Sequence, residues 1–342
     1  EYVPFYHKLF KKLNMKPCDI KTIEDLNKLP IIRKDDIRKD SDAVISKKFD
    51  VHDLQIRATS GSTGQPLRVF MSNKEDEFGK AKHLRANIGC GQRLKDRWVT
   101  ITSPTHFSEV TRIQQILGFY SPLFVSVFDS LETQISSIER MRPNVLEGYS
   151  SSLLLLAKEI RKRGVKTIKP KIIIGGAELI TDPSRKFIEE TFDAPFYDQY
   201  GTIEVRMAWQ CPAKRFYHID ADAVVLQFVD KNGEEISNGE RGEVVCTSLY
   251  SYAMPFIRYA VGDICVPSDG ICSCGRTLPL MKVIEGRKDS ILILPDGRLL
   301  SPRTFTIAFN TFRLVRYIEQ FQIIQKKRDF FEILLKKKNM PM

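Results

Sequence analysis

The chain has 342 residues, 42% of them hydrophobic and 28% charged, and its 53 Lys and Arg against 42 Asp and Glu give a net charge of +11 and a pI near 9.2. This length supports a sizeable core and predicts a large domain with a smaller one. The basic residues cluster only at 326–328 and 336–338, so the surplus argues weakly for nucleic acid, and no apolar run is long enough to span a bilayer. Seven cysteines, an odd number, do not suggest a disulfide framework; with no visible secretory signal they predict a cytoplasmic protein.

A short polar loop is the most informative feature of the first hundred residues. The run Ser60-Gly61-Ser62-Thr63-Gly64 brings three hydroxyls and two glycines together, so that hydroxyl and backbone N–H donors can converge on an anion with no Cβ in the way. Gln65-Pro66 follows where a Walker loop would have lysine, and strand-like segments flank the loop at 55–58 and 67–71. We interpret it as a phosphate loop between two strands; a solvated Ser/Thr/Gly turn is the alternative.

The segments around this loop predict an α/β protein. Residues 1–50 read as short helices packed on the outside of the main body, and Phe78, Ala81, Leu84 and Ile88 recur at helical spacing before a stop at 89–91. Strands are then predicted near 98–102, 123–127, 145–146 and 172–174, and helices near 113–117, 131–141, 152–163 and 183–192. This alternation is typical of a mainly parallel sheet with helices on its faces, whose ligands bind at the C-terminal strand ends.

The last third has a different pattern. Short strands are predicted at 224–230 and 243–247, and the Asn232-Gly233 and Asn238-Gly239 pairs between them favour tight turns. We therefore expect a β-rich subdomain at about 212–285.

Four further clusters carry polar groups suited to a nucleotide. They are Gly175-Gly176-Ala177-Glu178, Asp198 to Glu204 with Tyr200 and Gly201, Arg258 to Asp263, and Gly286-Arg287-Lys288-Asp289. Paired glycines let backbone lie against a planar ring, a tyrosine can stack on adenine, a glutamate can hold magnesium and an aspartate can accept from both ribose hydroxyls. An ordinary strand-to-helix turn, core packing or a surface ion pair would explain each cluster taken alone.

In this order, the five clusters resemble the adenylate-forming superfamily over about residues 55–300. The runs 254–259 (Met-Pro-Phe-Ile-Arg-Tyr) and 272–279 (Cys-Ser-Cys-Gly-Arg-Thr-Leu-Pro) are similar to the phenylacetate–CoA ligase branch, which includes relatives linked to capsular polysaccharide synthesis and coenzyme F390 synthetase. The resemblance implies a large N-terminal domain at 1–286 and, from a hinge at Asp289, the start of a C-terminal α+β lid at 287–342.

The resemblance also implies roles for individual residues. The ATP or AMP site would comprise Ser60, Gly61, Ser62, Thr63, Gly64, Gly175, Gly176, Ala177, Glu178, Asp198, Tyr200, Gly201, Asp263 and Arg287. Within it the loop would grip the outer phosphates, Asp263 the ribose, and Arg287 the ribose or phosphate. Glu204 would bind Mg²⁺, so Glu204, Thr202 and Arg287 are the predicted catalytic residues.

Two departures from the family pattern bear on catalysis. The position before the magnesium glutamate usually carries a hydroxyl, and here it is Ile203, with Thr202 adjacent. Only 53 residues follow Asp289, whereas the family's lid is a domain of roughly 100 residues that carries a lysine for the reacting carboxylate. We therefore expect an incomplete lid without that lysine, in either a fragment or a truncated protein.

Four residues near the β-rich segment form a candidate metal site. Cys211, His218, Cys272 and Cys274 offer three sulfurs and one nitrogen, a set that suits structural zinc. Against zinc, the Cys-x-Cys spacing is tight and free buried cysteines are frequent. Branch members that share these positions resemble zinc proteins, which favours the metal.

The resulting hypothesis is an ATP-dependent ligase that adenylates a small carboxylic acid and transfers it to CoA. Segments 102–106 and 147–150 would line the acyl pocket, while the identity of the acid, the acceptor and the oligomeric state, a homodimer among them, stay open. The alternative is a nucleotide-binding relative in polysaccharide biosynthesis that is non-catalytic or uses another acceptor.

Overall fold

The computed structural model describes residues 2–58, 67–108, 110–287, 292–293, 295, 299–300 and 318–337. The helices in this part of the chain are α1 (Pro4–Lys12), α2 (Lys34–Arg38), α3 (Asn73–Gly89), α4 (Arg112–Leu117), α5 (Leu131–Met141), α6 (Ser150–Arg163) and α7 (Asp182–Phe192). Short 3₁₀ turns lie at Pro17–Asp19, Glu24–Lys28, Asp42–Val44, Val51–Asp53 and Pro104–His106. Among these described helices, none has both the length and the apolar character needed to cross a bilayer.

The strands, in chain order, are β1 (Gln55–Ala58), β2 (Arg68–Met71), β3 (Trp98–Thr102), β4 (Pro122–Ser126), β5 (Val145–Tyr149), β6 (Ile172–Gly176), β7 (Phe196–Gly201), β8 (Arg206–Gln210), β9 (Tyr217–Ile219), β10 (Val224–Val229), β11 (Gly242–Ser248), β12 (Tyr259–Ser268), β13 (Leu280–Arg287), β14 (Leu292–Ile293), β15 (Leu299–Leu300), β16 (Ile318–Lys327) and β17 (Phe330–Lys337). Three antiparallel pairs stand apart from the main sheet: β1 with β2, β14 with β15 and β16 with β17. The first pair confirms that two strands flank the predicted phosphate loop, whose residues 59–66 lie outside the described part.

One mixed sheet dominates the fold. Eleven of the described strands join it in the order β10-β11-β12-β13-β9-β8-β7-β6-β5-β3-β4. From β4 to β7 the neighbours are parallel, and from β7 to β10 they are antiparallel. The predicted α/β class is therefore confirmed, and the β-rich segment continues the same sheet with the opposite strand pairing.

Helices cover both faces of the parallel half. The Ile172-Ile173-Ile174 run of β6 is buried on both sides, as expected for a central parallel strand. One face packs on a stripe of α6 residues at helical spacing, Leu153, Leu156, Ala157 and Ile160, and the other on Ala86 of α3. Side-chain caps begin α5 and α7, and left-handed residues end both helices.

The first fifty residues are more deeply integrated than the sequence indicated. They form short helices, as predicted, but Ile37 and Val44 are fully buried and belong to the largest core cluster. Ile32 also pairs with β12, since its N–H donates to the Arg258 carbonyl and its carbonyl accepts from Ala260 N–H. This segment therefore completes the core beneath the antiparallel half of the sheet.

Helix α3 ends where predicted, but its regularly spaced apolar residues are not its most buried ones. Phe78 and Ile88 are 40% and 46% exposed, whereas Glu75, Asp76, Lys82 and Asn87 are buried. Backbone partners account for part of this reversal: Glu75 accepts from the N–H groups of Tyr252 and Ala253, and Lys82 donates to the Arg206 carbonyl at 2.7 Å. Buried polar side chains are tolerated where they find such partners, so α3 turns its polar side toward the interior.

Candidate active site

A cleft of about 1480 Å³ lies at the C-terminal ends of the parallel strands. Its walls include Gly175, Gly176, Ala177 and Glu178 at the end of β6, and Tyr200, Gly201, Thr202 and Glu204 at the end of β7. Because β5, β6 and β7 are parallel, their C-terminal ends meet at one edge. Two of the predicted nucleotide clusters are thus brought to one concave site.

The paired glycines allow β6 and β7 to approach closely beside the cleft. A Cβ at Gly175 would lie 2.0 Å from Cζ of Phe196, and a Cβ at Gly176 would lie 2.9 Å from the Gln199 carbonyl oxygen. Phe196 is fully buried, so its ring has nowhere to move. Glycine is therefore required here by packing, and it also leaves bare backbone facing the cleft.

The following turn has its own constraints. Ala177 adopts φ 64, a left-handed conformation that is uncommon for a residue with a Cβ. Glu178 accepts a 2.8 Å hydrogen bond from the N–H of Ser151 in the first turn of α6, where a carboxylate is favoured by the helix dipole. The turn is thus held open toward the cleft by a contact with the neighbouring βα connection.

Tyr200 and Asp263 form a direct contact across 63 residues of sequence. The Tyr200 hydroxyl donates a 2.8 Å hydrogen bond to Oδ2 of Asp263, and both groups are largely enclosed. Burial, with the neighbouring Asp263 charge, raises the pKa of Tyr200 well above its usual value. The phenol therefore stays protonated and orients a carboxylate beside the cleft wall.

Glu204 has a carboxylate oxygen that can accept a further ligand. Its Oε1 accepts from the Tyr259 hydroxyl at 3.1 Å, and within the described residues Oε2 has no hydrogen-bond partner. The Thr202 side chain closes the turn between β7 and β8, because its Oγ1 accepts from Val205 N–H at 3.2 Å. Ile203, in the same turn, packs against the core. The glutamate is thus available to a cation, whereas the Thr202 hydroxyl is already engaged in the turn.

Asp198 departs from the predicted set. It is absent from the cleft wall and is buried, where its Oδ2 accepts from the Tyr217 hydroxyl at 2.6 Å; its Oδ1 has no hydrogen-bond partner among the residues that the structure describes. The structure therefore does not bring Asp198 to the nucleotide cluster, because its carboxylate is turned toward Tyr217 of β9. The loop 60–64 and Asp289 lie outside the described residues, and of Arg287 only the backbone is described, paired with Asp263.

This placement predicts that Asp198→Asn stabilises the protein above pH 6 without weakening AMP binding. Burial raises the pKa of Asp198 from 3.8 to about 6, so the unfolded chain loses this proton first as pH rises. Stability is lost between about pH 4 and pH 6 and stays lost above that range. Asparagine keeps the acceptor for Tyr217 and cannot ionise, so we expect a gain of about 3 kcal/mol at pH 7.5.

Urea unfolding at pH 4.5 and pH 7.5 measures this difference. Asp269→Asn, at an exposed position, is the matched control and should change stability little at either pH. A gain that is equal at the two pH values would contradict the burial argument.

The deeper part of the cleft carries a polar network. Glu147 of β5 contacts the His83 Nε2 at 2.9 Å and accepts from the Trp98 Nε1 at 3.0 Å. Burial alone would raise the pKa of Glu147, but the adjacent His83 brings it below its usual value. This carboxylate is therefore ionised in spite of its enclosure.

A second polar group joins the two segments predicted to line the acyl pocket. The Tyr149 hydroxyl lies 2.8 Å from Nδ1 of His106 and accepts from Thr102 Oγ1 at 3.1 Å, and all three residues line the cleft. Burial, together with the charges of Arg57 and Arg206, lowers the pKa of His106. We therefore expect the His106 imidazole to be neutral at neutral pH.

Several cleft residues were absent from the sequence prediction. They are Arg57, Lys82, His83 and Arg206. A charged residue within an otherwise apolar strand or helix segment could have indicated them. Arg206, directly before Met207-Ala208-Trp209, is an example. The helical spacing of the apolar residues in α3 did not indicate that Lys82 and His83 line the cleft.

The predicted metal ligands also come together, away from the cleft. The ligand atoms of Cys211, His218, Cys272 and Cys274 all lie within 4.8 Å of one another. Sγ of Cys211 is 3.5 Å from Sγ of Cys272, and Sγ of Cys274 is 3.4 Å from Nε2 of His218. Tetrahedral zinc places such pairs about 3.6–3.8 Å apart, so this donor set fits zinc in both chemistry and spacing.

Comparison with known proteins agrees with this geometry, although no family model matches the chain. The chain is 28% identical over 305 residues to the phenylacetate-coenzyme A ligase of Thermus thermophilus, covering 86% of this chain and 68% of that protein. It is 27% identical over 271 residues to Protein CapK of Staphylococcus aureus, covering 76% of this chain and 58% of that one. A solved 2-hydroxyisobutyryl-CoA ligase in complex with an acyl-AMP superposes with a TM-score of 0.83 at 20% identity, over 98% of this chain and 73% of its own.

In sequence the chain resembles the phenylacetate–CoA ligase branch, and its fold is that of solved adenylate-forming enzymes. The cleft at the C-terminal strand ends coincides with the position at which open α/β sheets bind ligands. The O-succinylbenzoate–CoA synthetase of Bacillus subtilis, solved with ATP and magnesium, shares the fold at a TM-score of 0.58 and 15% identity.

Proposed function

We propose that this protein is an AMP-forming acid–CoA ligase. In the first half-reaction a carboxylate oxygen of a small acid attacks the α-phosphorus of ATP, forming an acyl-adenylate as the bond to pyrophosphate breaks. In the second, the CoA thiol attacks the acyl carbon, and AMP leaves. The observation that supports this proposal most directly is the single cleft shared by the Gly175–Glu178 turn, Tyr200 and Glu204.

Within this proposal the residues divide the nucleotide among them. The backbone of Gly175 to Ala177 and the ring of Tyr200 would frame the adenine, and Asp263, oriented by Tyr200, would accept from the ribose hydroxyls. Glu204 would hold Mg²⁺ through its free oxygen, and the ion would offset the charge that develops on the phosphates. Loop 60–64 is proposed to grip the β- and γ-phosphates, and Arg287 to reach ribose or phosphate.

We also propose the boundary and metal assignments made from the sequence. Residues 1–286 would form the nucleotide- and acyl-binding domain, and Asp289 the hinge of the lid that 287–342 begins. Zinc would be held by Cys211, His218, Cys272 and Cys274 and would be structural, since four protein ligands leave no open position. A cytoplasmic location is supported by the free state of all seven cysteines.

Acid-dependent ATP–pyrophosphate exchange tests the proposal. The purified protein is incubated with ATP, Mg²⁺ and labelled pyrophosphate, with phenylacetate or 2-hydroxyisobutyrate, and thioester formation is then followed after CoA is added. We expect exchange only when an acid is present and thioester only when CoA follows. ATP binding without exchange for any acid would instead favour a non-catalytic nucleotide-binding protein, for which Ile203 and the engaged Thr202 hydroxyl are the structural argument.

A further inference from the structure

Arg206 occupies a central position in the cleft. It begins β8 and pairs in register with Gly201 of β7, so it stands beside the turn that carries Thr202 and Glu204. Its side chain is partly buried and forms part of the cleft wall. The residue is therefore close to the proposed reaction centre without belonging to any motif that predicted it.

The other charged groups around Arg206 have protein partners. Arg57 forms an ion pair with Asp76, and Nε2 of His83 lies 2.9 Å from Oε1 of Glu147. In contrast, the Arg206 guanidinium makes no hydrogen bond or ion pair with the described residues; its contacts with Lys82 and Tyr250 use the main chain. Arg206 thus contributes a positive charge to the cleft that no side chain among the described residues pairs with directly.

Such a charge is costly unless something offsets it. Burial lowers the pKa of Arg206, with the charge of Glu147 partly opposing that effect, but a guanidinium remains protonated in proteins. A partly desolvated cation without a partner destabilises the folded state. Groups of this kind are concentrated at sites where a ligand supplies the opposite charge.

We propose that Arg206 binds a carboxylate of the acid substrate. This inference rests on the proposed ligase function and names the contact by which the acid is recognised. The planar guanidinium fork matches a carboxylate in two parallel hydrogen bonds. Its electrostatic neighbours include Glu147, Tyr250 and His106, and Glu147 and His106 belong to segments that we assign to the acyl side. The carboxylate is either the reacting group or a second one carried by the acid.

Substitution of Arg206 should leave the fold intact. The contact with Lys82 uses the main-chain carbonyl, which every substitution keeps, and methionine fills similar space without a charge. We therefore expect Arg206→Met to unfold at the same temperature as the wild type or a higher one. The unfolding temperature of Arg206→Met therefore distinguishes a loss of acid binding from a loss of folded structure.

The test measures binding of phenylacetate, 2-hydroxyisobutyrate and malonate by calorimetry in the presence of AMP, and of AMP alone. We expect Arg206→Met to weaken acid binding about 10- to 100-fold, the loss of a charged hydrogen bond, and to change the Kd of AMP by less than twofold. Arg206→Lys should restore part of the affinity. Arg215→Met, which removes an exposed arginine outside the cleft, should have no effect.

The three acids distinguish the two sources of the carboxylate. Weaker binding of all three acids identifies the reacting carboxylate, and weaker binding of malonate alone identifies a second one. Three results would overturn the inference. They are acid affinities that do not change in Arg206→Met, a loss of AMP affinity equal to the loss of acid affinity, and a wild-type protein that binds none of the three acids. Absence of pyrophosphate exchange in the wild type would refute the proposed function separately, since acid binding is measured without turnover.

Discussion

Replacing Glu204 by glutamine is expected to lower ATP–pyrophosphate exchange roughly 100- to 1,000-fold, the size of effect seen when a transition-state charge contact is lost. Glutamine has the shape of glutamate and retains an oxygen for the Tyr259 hydroxyl, which donates to Glu204 at 3.1 Å. It lacks the negative charge that a hard cation requires. The variant should therefore fold normally and fail at the step that needs Mg²⁺.

The measurement is exchange rate against Mg²⁺ concentration, with the unfolding temperature recorded for each protein. Glu234→Gln, an exposed position away from the cleft, is the matched control and should retain full activity. ATP affinity without metal should be similar in both variants. Exchange in Glu204→Gln within threefold of the wild type would remove Glu204 from the proposed mechanism.

A second large effect is expected at the cysteine–histidine cluster. Protein purified without chelator should contain about one equivalent of zinc, and Cys272→Ser should contain almost none, because a hydroxyl is a poor substitute for a thiolate ligand. The cluster joins Cys211 in the β8–β9 connection and His218 of β9 to Cys272 and Cys274 in the β12–β13 connection. Without the metal these two loops lose their common anchor, so stability should fall together with metal content.

We expect Cys272→Ser to lower Tm by roughly 4 °C, which corresponds to about 3 kcal/mol in a protein of this size. Chelator treatment of the wild type should produce a similar shift that zinc reverses. Cys18→Ser, at an exposed cysteine outside the cluster, should keep both zinc and stability. A Cys272→Ser protein that still carries one equivalent would show that the ligand set is wrong.

Local sequence patterns were sufficient for most of the secondary structure. The Ile172-Ile173-Ile174 run is buried on both faces as a central parallel strand must be, and α5 spans the predicted residues, Leu131–Met141. These features depend on residues adjacent in sequence, so short-range physics decides them. The sequence also identified Gly175, Gly176 and Tyr200 as candidate site residues. Only glycine fits where β6 and β7 approach closely, and an aromatic residue is needed to form a flat wall of the cleft.

Tertiary structure decided which side of an element faces inward. In α3, Phe78 and Ile88 are partly exposed, whereas Glu75 and Lys82 are buried against partners on distant segments, such as the backbone at Ala253 and Arg206. Asp198 was grouped with its neighbours in sequence, yet the strand turns it toward Tyr217.

By itself the sequence determined the order of the strands and helices, the motifs of an adenylate-forming protein and the four candidate metal ligands. Only the folded chain decided that Tyr200 meets Asp263, that the cysteines and histidine converge and that Arg206 stands in the cleft beside paired charges. The reason is that hydrogen bonding and burial depend on which distant groups are neighbours, and no periodicity along the chain encodes those neighbours.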